Sequence, residues 1–154
     1  MESITKEMHR VNIVSVIMAG GRGERFWPAS TISTPKQFLS LWGDETLLQQ
    51  TFKRATQITG APENVYIVTG SHYRELTLSQ LPDLPIENLI IEPEGRDTAP
   101  AIGYAATYIK VHKGDAVMVV LPSDHVILDE EKFSNTLKYA IELASKGDYL
   151  LTIG

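Results

Sequence analysis

The chain contains no cysteine among its 154 residues, which excludes both a disulfide framework and a thiolate metal site. It also lacks long apolar runs. The apolar stretch nearest the N-terminus, residues 13–17, is far too short to span a bilayer. The polar residues before it do not make a signal-peptide pattern, so the cytoplasm is the expected compartment and no membrane partner is expected. Basic residues are outnumbered: 14 Lys and Arg stand against 19 Asp and Glu, for a net charge of −5. That balance argues against a protein that binds nucleic acid broadly by charge. Anionic small molecules remain open to it, provided positive charge is concentrated locally. Internal repeats and low-complexity linkers are absent, and the length suits one domain with a real core.

The concentration of positive charge is found in residues 18–38, MAGGRGERFWPASTISTPKQF. Before it, Ile13-Val14-Ser15-Val16-Ile17 is short, β-branched and largely apolar on both faces, as a strand buried inside a parallel sheet would be. Gly20, Gly21 and Gly23 are expected to take positive φ and to keep any Cβ out of a ligand's way. Backbone amides in such a turn converge on an anion. Arg22 and Arg25 add guanidinium forks that match phosphate oxygens, and Lys36 adds a compact charge. The familiar phosphate motifs do not fit, because no Gly-Lys-Ser/Thr closes the loop. Trp27-Pro28 and Thr34-Pro35 hold the chain extended where a dinucleotide fingerprint would open a helix. The stretch reads as a long irregular loop cradling a nucleoside triphosphate.

Strand and helix patterns alternate along the rest of the chain. Residues 1–12 form a polar lead-in without an assigned role, and residues 13–154 form the domain. Residues 46–58 carry a helical apolar stripe through Leu47, Leu48, Thr51, Phe52, Ala55 and Ile58, with Asp44 or Thr46 as its cap and Gly60 after its end. A strand is predicted over 65–69, a helix over 71–81 and a strand over 89–91. A third helix over 97–111 buries Ala101, Ile102, Ala105, Ala106 and Ile109, with Pro100 in its first turn. A strongly buried strand over 116–121, a helix over 130–145 and a fifth strand from 149 to 153 complete the pattern. This regularity predicts a Rossmann-like three-layer α/β/α domain with a mainly parallel sheet and ligands at the carboxyl ends of the strands.

Two further segments carry candidate chemistry. Leu121-Pro122-Ser123-Asp124-His125 ends the fourth strand. Asp124 is the best placed carboxylate to bring Mg²⁺ to a phosphate, although an Asp after a strand equally often caps a turn or the next helix. Residues 92–101, EPEGRDTAPA, lead into a helix N-terminus whose amides and polar side chains suit a base edge, with Asp97 or Thr98 equally suited to plain capping. His9, His72 and His112 have no ligand-like spacing and read as surface residues. Trp42 and the tyrosines read as packing residues rather than base-stacking ones.

The run Ala19-Gly20-Gly21-Arg22-Gly23-Glu24-Arg25-Phe26-Trp27-Pro28, followed by Pro35-Lys36-Gln37-Phe38, resembles the long gapped signature of the sugar-1-phosphate nucleotidyltransferases. Its Phe-Trp-Pro-x-Ser and Pro-Lys-Gln-Phe variants look most like those of the mannose-1-phosphate guanylyltransferases. The resemblance implies the nucleotide-diphospho-sugar transferase fold, with GTP and mannose 1-phosphate as substrates and Mg²⁺ as cofactor. It implies Arg25, Lys36 and Asp124 as catalytic residues, with Asp124 on the metal in the family's Pro-x-Asp-His segment. Ala19, Gly20, Gly21, Arg22, Gly23 and Ser123 would lie along the nucleotide, and Arg96, Asp97, Thr98 and Ala99 on its guanine side. Members of the family are longer and take most of their sugar contacts from sequence beyond the point matching Gly154, so the chain is expected to be their N-terminal, nucleotide-binding part. Uridylyl or thymidylyl transfer, or a catalytically silent nucleotide-binding module, are the competing expectations. The sequence is compatible with a homo-oligomer without fixing the assembly.

Overall fold

A strand held between two neighbours sits at the middle of the fold. In the computed structural model, which describes residues 11–21, 28–31, 33–95 and 97–154, β1 (Asn12–Met18) pairs in parallel with both β2 (Val65–Gly70) and β4 (Ala116–Pro122). β3 (Leu89–Glu92) pairs with β2, so the sheet order is β3-β2-β1-β4. Successive strand residues face opposite sides of a sheet, and β1 is apolar on both. Ile13 and Ile17 join the core on one face, and Val14, Val16 and Met18 the core on the other.

α1 (Leu47–Thr59), α2 (Arg74–Gln80) and α4 (Glu130–Ala144) cover the first face, and α3 (Thr98–Lys113) covers the second. The chain steps from β1 to β3 with helices on one side. It then returns past β1 to β4 through a helix on the other, as crossovers of constant handedness require. The result is the expected three-layer α/β/α fold. α1 starts at a reciprocal capping box: the Gln49 amide donates to Thr46 Oγ1 at 3.3 Å, and the Thr46 amide donates to Gln49 Oε1 at 2.9 Å. It ends at Gly60, whose φ of 83° is the left-handed conformation that favours glycine.

The structure corrects several expectations. The run 116–121 is not strongly buried, because β4 is an edge strand on which only Val119 and Leu121 are fully covered. Residues 149–153 form no strand. They make no ladder with β3 or β4, and Tyr149, Leu150, Leu151 and Ile153 are exposed. Ala106 lies on the outer side of α3, while Ala101, Ala105 and Ile109 face the sheet. Trp42 is 62% exposed and packs into neither core. The helix expected over 71–81 begins as a 3-10 turn, Ser71–Tyr73, before α2.

The Oγ of Ser15, fully buried within β1, finds no hydrogen-bond partner among the described residues. Burying a hydroxyl without a partner is unfavourable, so Ser15→Ala is expected to leave stability unchanged or to raise it by up to about 1 kcal/mol. Urea unfolding of the two proteins checks this, and a clear loss in the variant would show that the hydroxyl is engaged.

Candidate active site

The sheet reverses its direction of growth at β1, with β2 on one side and β4 on the other. In open α/β sheets the crevice outside the carboxyl ends at such a reversal is where ligands bind. Here the crevice lies between the turn that leaves β1, Ala19-Gly20-Gly21, and the segment that leaves β4, Ser123-Asp124. Register pairs Met18 with Pro122, and the Ser123 amide donates to the Met18 carbonyl at 3.2 Å, so the two segments start side by side.

The glycine turn is held from behind. The Gln37 side-chain amide donates to the carbonyls of Ala19 and Gly21 at 3.0 and 3.1 Å, and Thr69 Oγ1 donates to the Ala19 carbonyl at 3.0 Å. These donors occupy acceptors of the turn, and the Ala19 amide donates to the Val68 carbonyl at 2.8 Å, so the amides of Gly20 and Gly21 are the ones placed to meet an anion. Gln37 is buried in the short 3-10 turn Lys36–Phe38, and that turn projects the neighbouring Lys36 toward Asp124. Lys36 Nζ lies 3.6 Å from Asp124 Oδ2, with both side chains partly open to solvent. Two residues 88 positions apart thus meet at the crevice as an ion pair.

The geometry also weighs the plainer readings. α4 is capped by Asp129, whose Oδ1 accepts from the Lys132 amide at 2.9 Å, so Asp124 is not its cap. Asp97 stands at the cap position of α3 without accepting a capping hydrogen bond. Its backbone has φ 69° and ψ −179°, a combination that is nearly confined to glycine. Thr98 and Ala99 open α3 and are exposed, and Ser123 is buried. Arg22, Gly23, Arg25 and Arg96 lie outside the described residues.

Gly20 and Gly21 do not take positive φ, contrary to expectation. Gly20 matters for space: a Cβ there would stand 2.8 Å from Glu92 Oε2. A Cβ on Gly21 would meet nothing within 4 Å. Glu92, at the carboxyl end of β3, therefore brings a second carboxylate against the glycine turn, and burial raises it above its ordinary pKa. Sequence reasoning missed Glu92, Gln37 and Thr69. The available signals were a carboxylate ending a strand, and a polar side chain between Lys36 and Phe38.

The sequence model of the family described as "Nucleotidyl transferase" matches residues 14–154. A mannose-1-phosphate guanylyltransferase of Escherichia coli K12 is 41% identical over 96% of this chain, which covers 31% of that protein. The alginate biosynthesis protein AlgA of Pseudomonas aeruginosa is 40% identical over 90% of the chain and 29% of its own length. The chain thus spans about three tenths of these curated relatives. A solved structure from Thermus thermophilus, described as a mannose-1-phosphate geranyltransferase, superposes with a TM-score of 0.77 at 34% identity, over 89% of this chain and 39% of that one.

Two outcomes follow from the strained and buried groups. Asp97→Gly relieves backbone strain of about 1–3 kcal/mol against the roughly 0.5–1 kcal/mol by which glycine favours the unfolded chain. A net gain of about 1 kcal/mol in urea unfolding is expected, and a loss would mean that the Asp97 side chain itself holds the turn. For Glu92, a raised folded pKa means that ionisation opposes folding. The favourable contribution is intact below the unfolded value and is lost as pH rises through the higher folded one. Glu92→Gln should therefore raise the melting temperature at about pH 7.5 and give no gain at about pH 4, the effect being small because the carboxylate is only partly buried. Gains of equal size at both pH values would refute the shift.

Proposed function

The chain belongs to the nucleotidyl transferase family, and on that premise we propose that it supplies the GTP- and Mg²⁺-binding part of a mannose-1-phosphate guanylyltransferase. The whole enzyme would join mannose 1-phosphate to GTP, giving GDP-mannose and pyrophosphate, in the cytoplasm and in support of polysaccharide synthesis. The observation that carries the reading is the Lys36–Asp124 pair at the sheet's reversal point, beside the glycine turn. The names of the relatives, guanylyltransferases and an alginate biosynthesis protein, support the substrates and the setting.

The donor set fits Mg²⁺. Among the described residues no group of three His, Cys, Asp or Glu could enclose a metal ion. Mg²⁺ does not need one, because it takes one or two carboxylates and completes its shell with phosphate oxygens and water. Asp124 would hold it with the nucleotide's own oxygens. When bound, the ion supplies Lewis-acid polarisation and a template at the α-phosphate.

The remaining work falls to this chain's residues. A phosphate oxygen of mannose 1-phosphate attacks the α-phosphorus of GTP. A new P–O bond forms, the bond to the β-phosphate oxygen breaks, and pyrophosphate leaves with that electron pair. The attacking oxygen is already anionic, so no protein nucleophile or strong base is needed, and His125 has no proton to move. Lys36, with Arg25 and Arg22, neutralises the crowded phosphate oxygens in the transition state. The amides that follow Ala19, from Gly20 to Gly23, would hold the phosphates, and the Ser123 segment stays aligned with β1 through its bond to Met18. Arg96, Asp97, Thr98 and Ala99 would serve the base. Catalysis then rests on positioning and charge.

Thermal stabilisation by GTP, UTP and dTTP, each with and without Mg²⁺, tests this reading. GTP with Mg²⁺ at about 100 times its dissociation constant should add about 2.7 kcal/mol, Lys36→Ala should lose most of that gain, and Asp124→Asn should lose its Mg²⁺ dependence. In the assembled enzyme Lys36→Ala should cut turnover by about 10²-fold or more. Equal stabilisation by UTP, or none by any nucleotide, would sink the guanylyl assignment.

A further inference from the structure

Arg54 belongs to none of the segments that resemble the family signature, yet it is the charged side chain that the fold covers most completely among the described residues. It is 5% exposed, on the side of α1 that faces the sheet. A buried guanidinium is unfavourable unless its donors and its charge are met. Here Nη2 donates to Thr51 Oγ1 at 2.9 Å and to the backbone carbonyl of His125 at 3.1 Å, and Nη1 lies 3.8 Å from the Glu130 carboxylate. The side chain therefore joins three parts of the molecule: α1, the segment that leaves β4, and the first turn of α4.

The place of attachment matters. His125 directly follows Asp124, and the segment from Ser123 to Asp129 has no regular structure to fix it. It is held at the strand end by the Ser123 amide on Met18 and at the surface by the Asp124–Lys36 pair. The bond from Arg54 holds it from beneath, one residue past the carboxylate. A methionine would fill much the same space without the desolvation penalty, so packing alone does not account for an arginine here.

We propose that Arg54 is a positioning residue. By fixing the His125 carbonyl it sets the backbone that carries Asp124, and so sets the affinity of the site for a divalent cation. It touches neither substrate nor metal. The cation part of this inference rests on the function proposed above, whereas the anchoring part does not. Groups standing behind a metal-binding carboxylate typically change metal affinity by about 10- to 100-fold when removed.

The test uses Arg54→Met, Arg54→Lys and, as a control, Lys53→Met, which removes an exposed charge from the same helix. Hydrogen exchange of the nucleotide-free protein is the first readout. Amides of residues 123–129 should exchange faster in Arg54→Met than in wild type, with the rest of the sheet unchanged, whereas a general loss of packing would raise exchange throughout α1 and β1. The second readout is the Mg²⁺ concentration that half-saturates Mg²⁺-dependent GTP binding. It should rise about tenfold in Arg54→Met and less in Arg54→Lys, which keeps the charge and a donor nitrogen without the fork, with Lys53→Met matching wild type. If Arg54→Met does not fold, Arg54→Lys is judged alone on both readouts. Unchanged exchange at 123–129 in a folded variant overturns the anchoring. Faster exchange there with an unchanged Mg²⁺ midpoint overturns the link to the cation. Wild type that binds no GTP with Mg²⁺ would overturn the proposed function and the cation link together, and the exchange result would still decide the anchoring.

Discussion

β1 is covered on both faces and paired on both edges, and the rest of the molecule depends on that enclosure. A strand with no free edge and no free face can present groups to solvent only at its ends. Its amino end leads from a polar segment. Its carboxyl end releases the chain at the point where the sheet reverses, so whatever follows Met18 must enter the crevice between β2 and β4. Gly20 sits where neighbouring strand ends approach, with Thr69 from β2 and Glu92 from β3 both reaching toward the turn. The site is thus a consequence of topology before it is one of chemistry.

Local charge at the crevice works against the overall balance of the chain. With a net charge of −5, the protein as a whole repels phosphate, and long-range attraction cannot do much to recruit a nucleotide through physiological salt. Binding has to come from short-range groups held in place. Lys36 fits this requirement. It sits in a one-turn helix whose neighbours Gln37 and Phe38 are buried, and Gln37 is bonded to the glycine turn. Any movement of the lysine's backbone would therefore disturb the turn as well. The same short segment shapes the glycine turn and carries the lysine beside it.

Much of this was legible in the sequence, and the exceptions share one cause. Periodicity and capping located α1, because Thr46, Gln49 and Gly60 act within a few residues of the helix they bound. The alternation of strands and helices was sufficient for the three layers. Statements needing strand order failed: the run 116–121 looks as apolar as β1, but β4 lies at an edge and is only partly covered. The glycines were expected to give the chain positive φ, and Gly20 and Gly21 do not take it. Their φ values are ordinary, and the close approach at Gly20 comes from the end of the Glu92 side chain, 72 positions away. For Asp124 the sequence left helix capping, turn capping and metal binding open, and the structure removes the first, because Asp129 caps α4.

Arg54 and Asp97 show how stability is distributed around the crevice. Both are unfavourable when considered locally, one as a buried cation and the other as a non-glycine residue in a glycine conformation. Each lies at a segment that leaves or enters the sheet layer: Arg54 beneath the backbone bearing Asp124, and Asp97 at the entry to α3. A fold whose central strand is so fully enclosed can tolerate such local penalties. They concentrate at the carboxyl ends of the strands, where loops without regular hydrogen bonding must still hold charged groups within a few ångströms of one another.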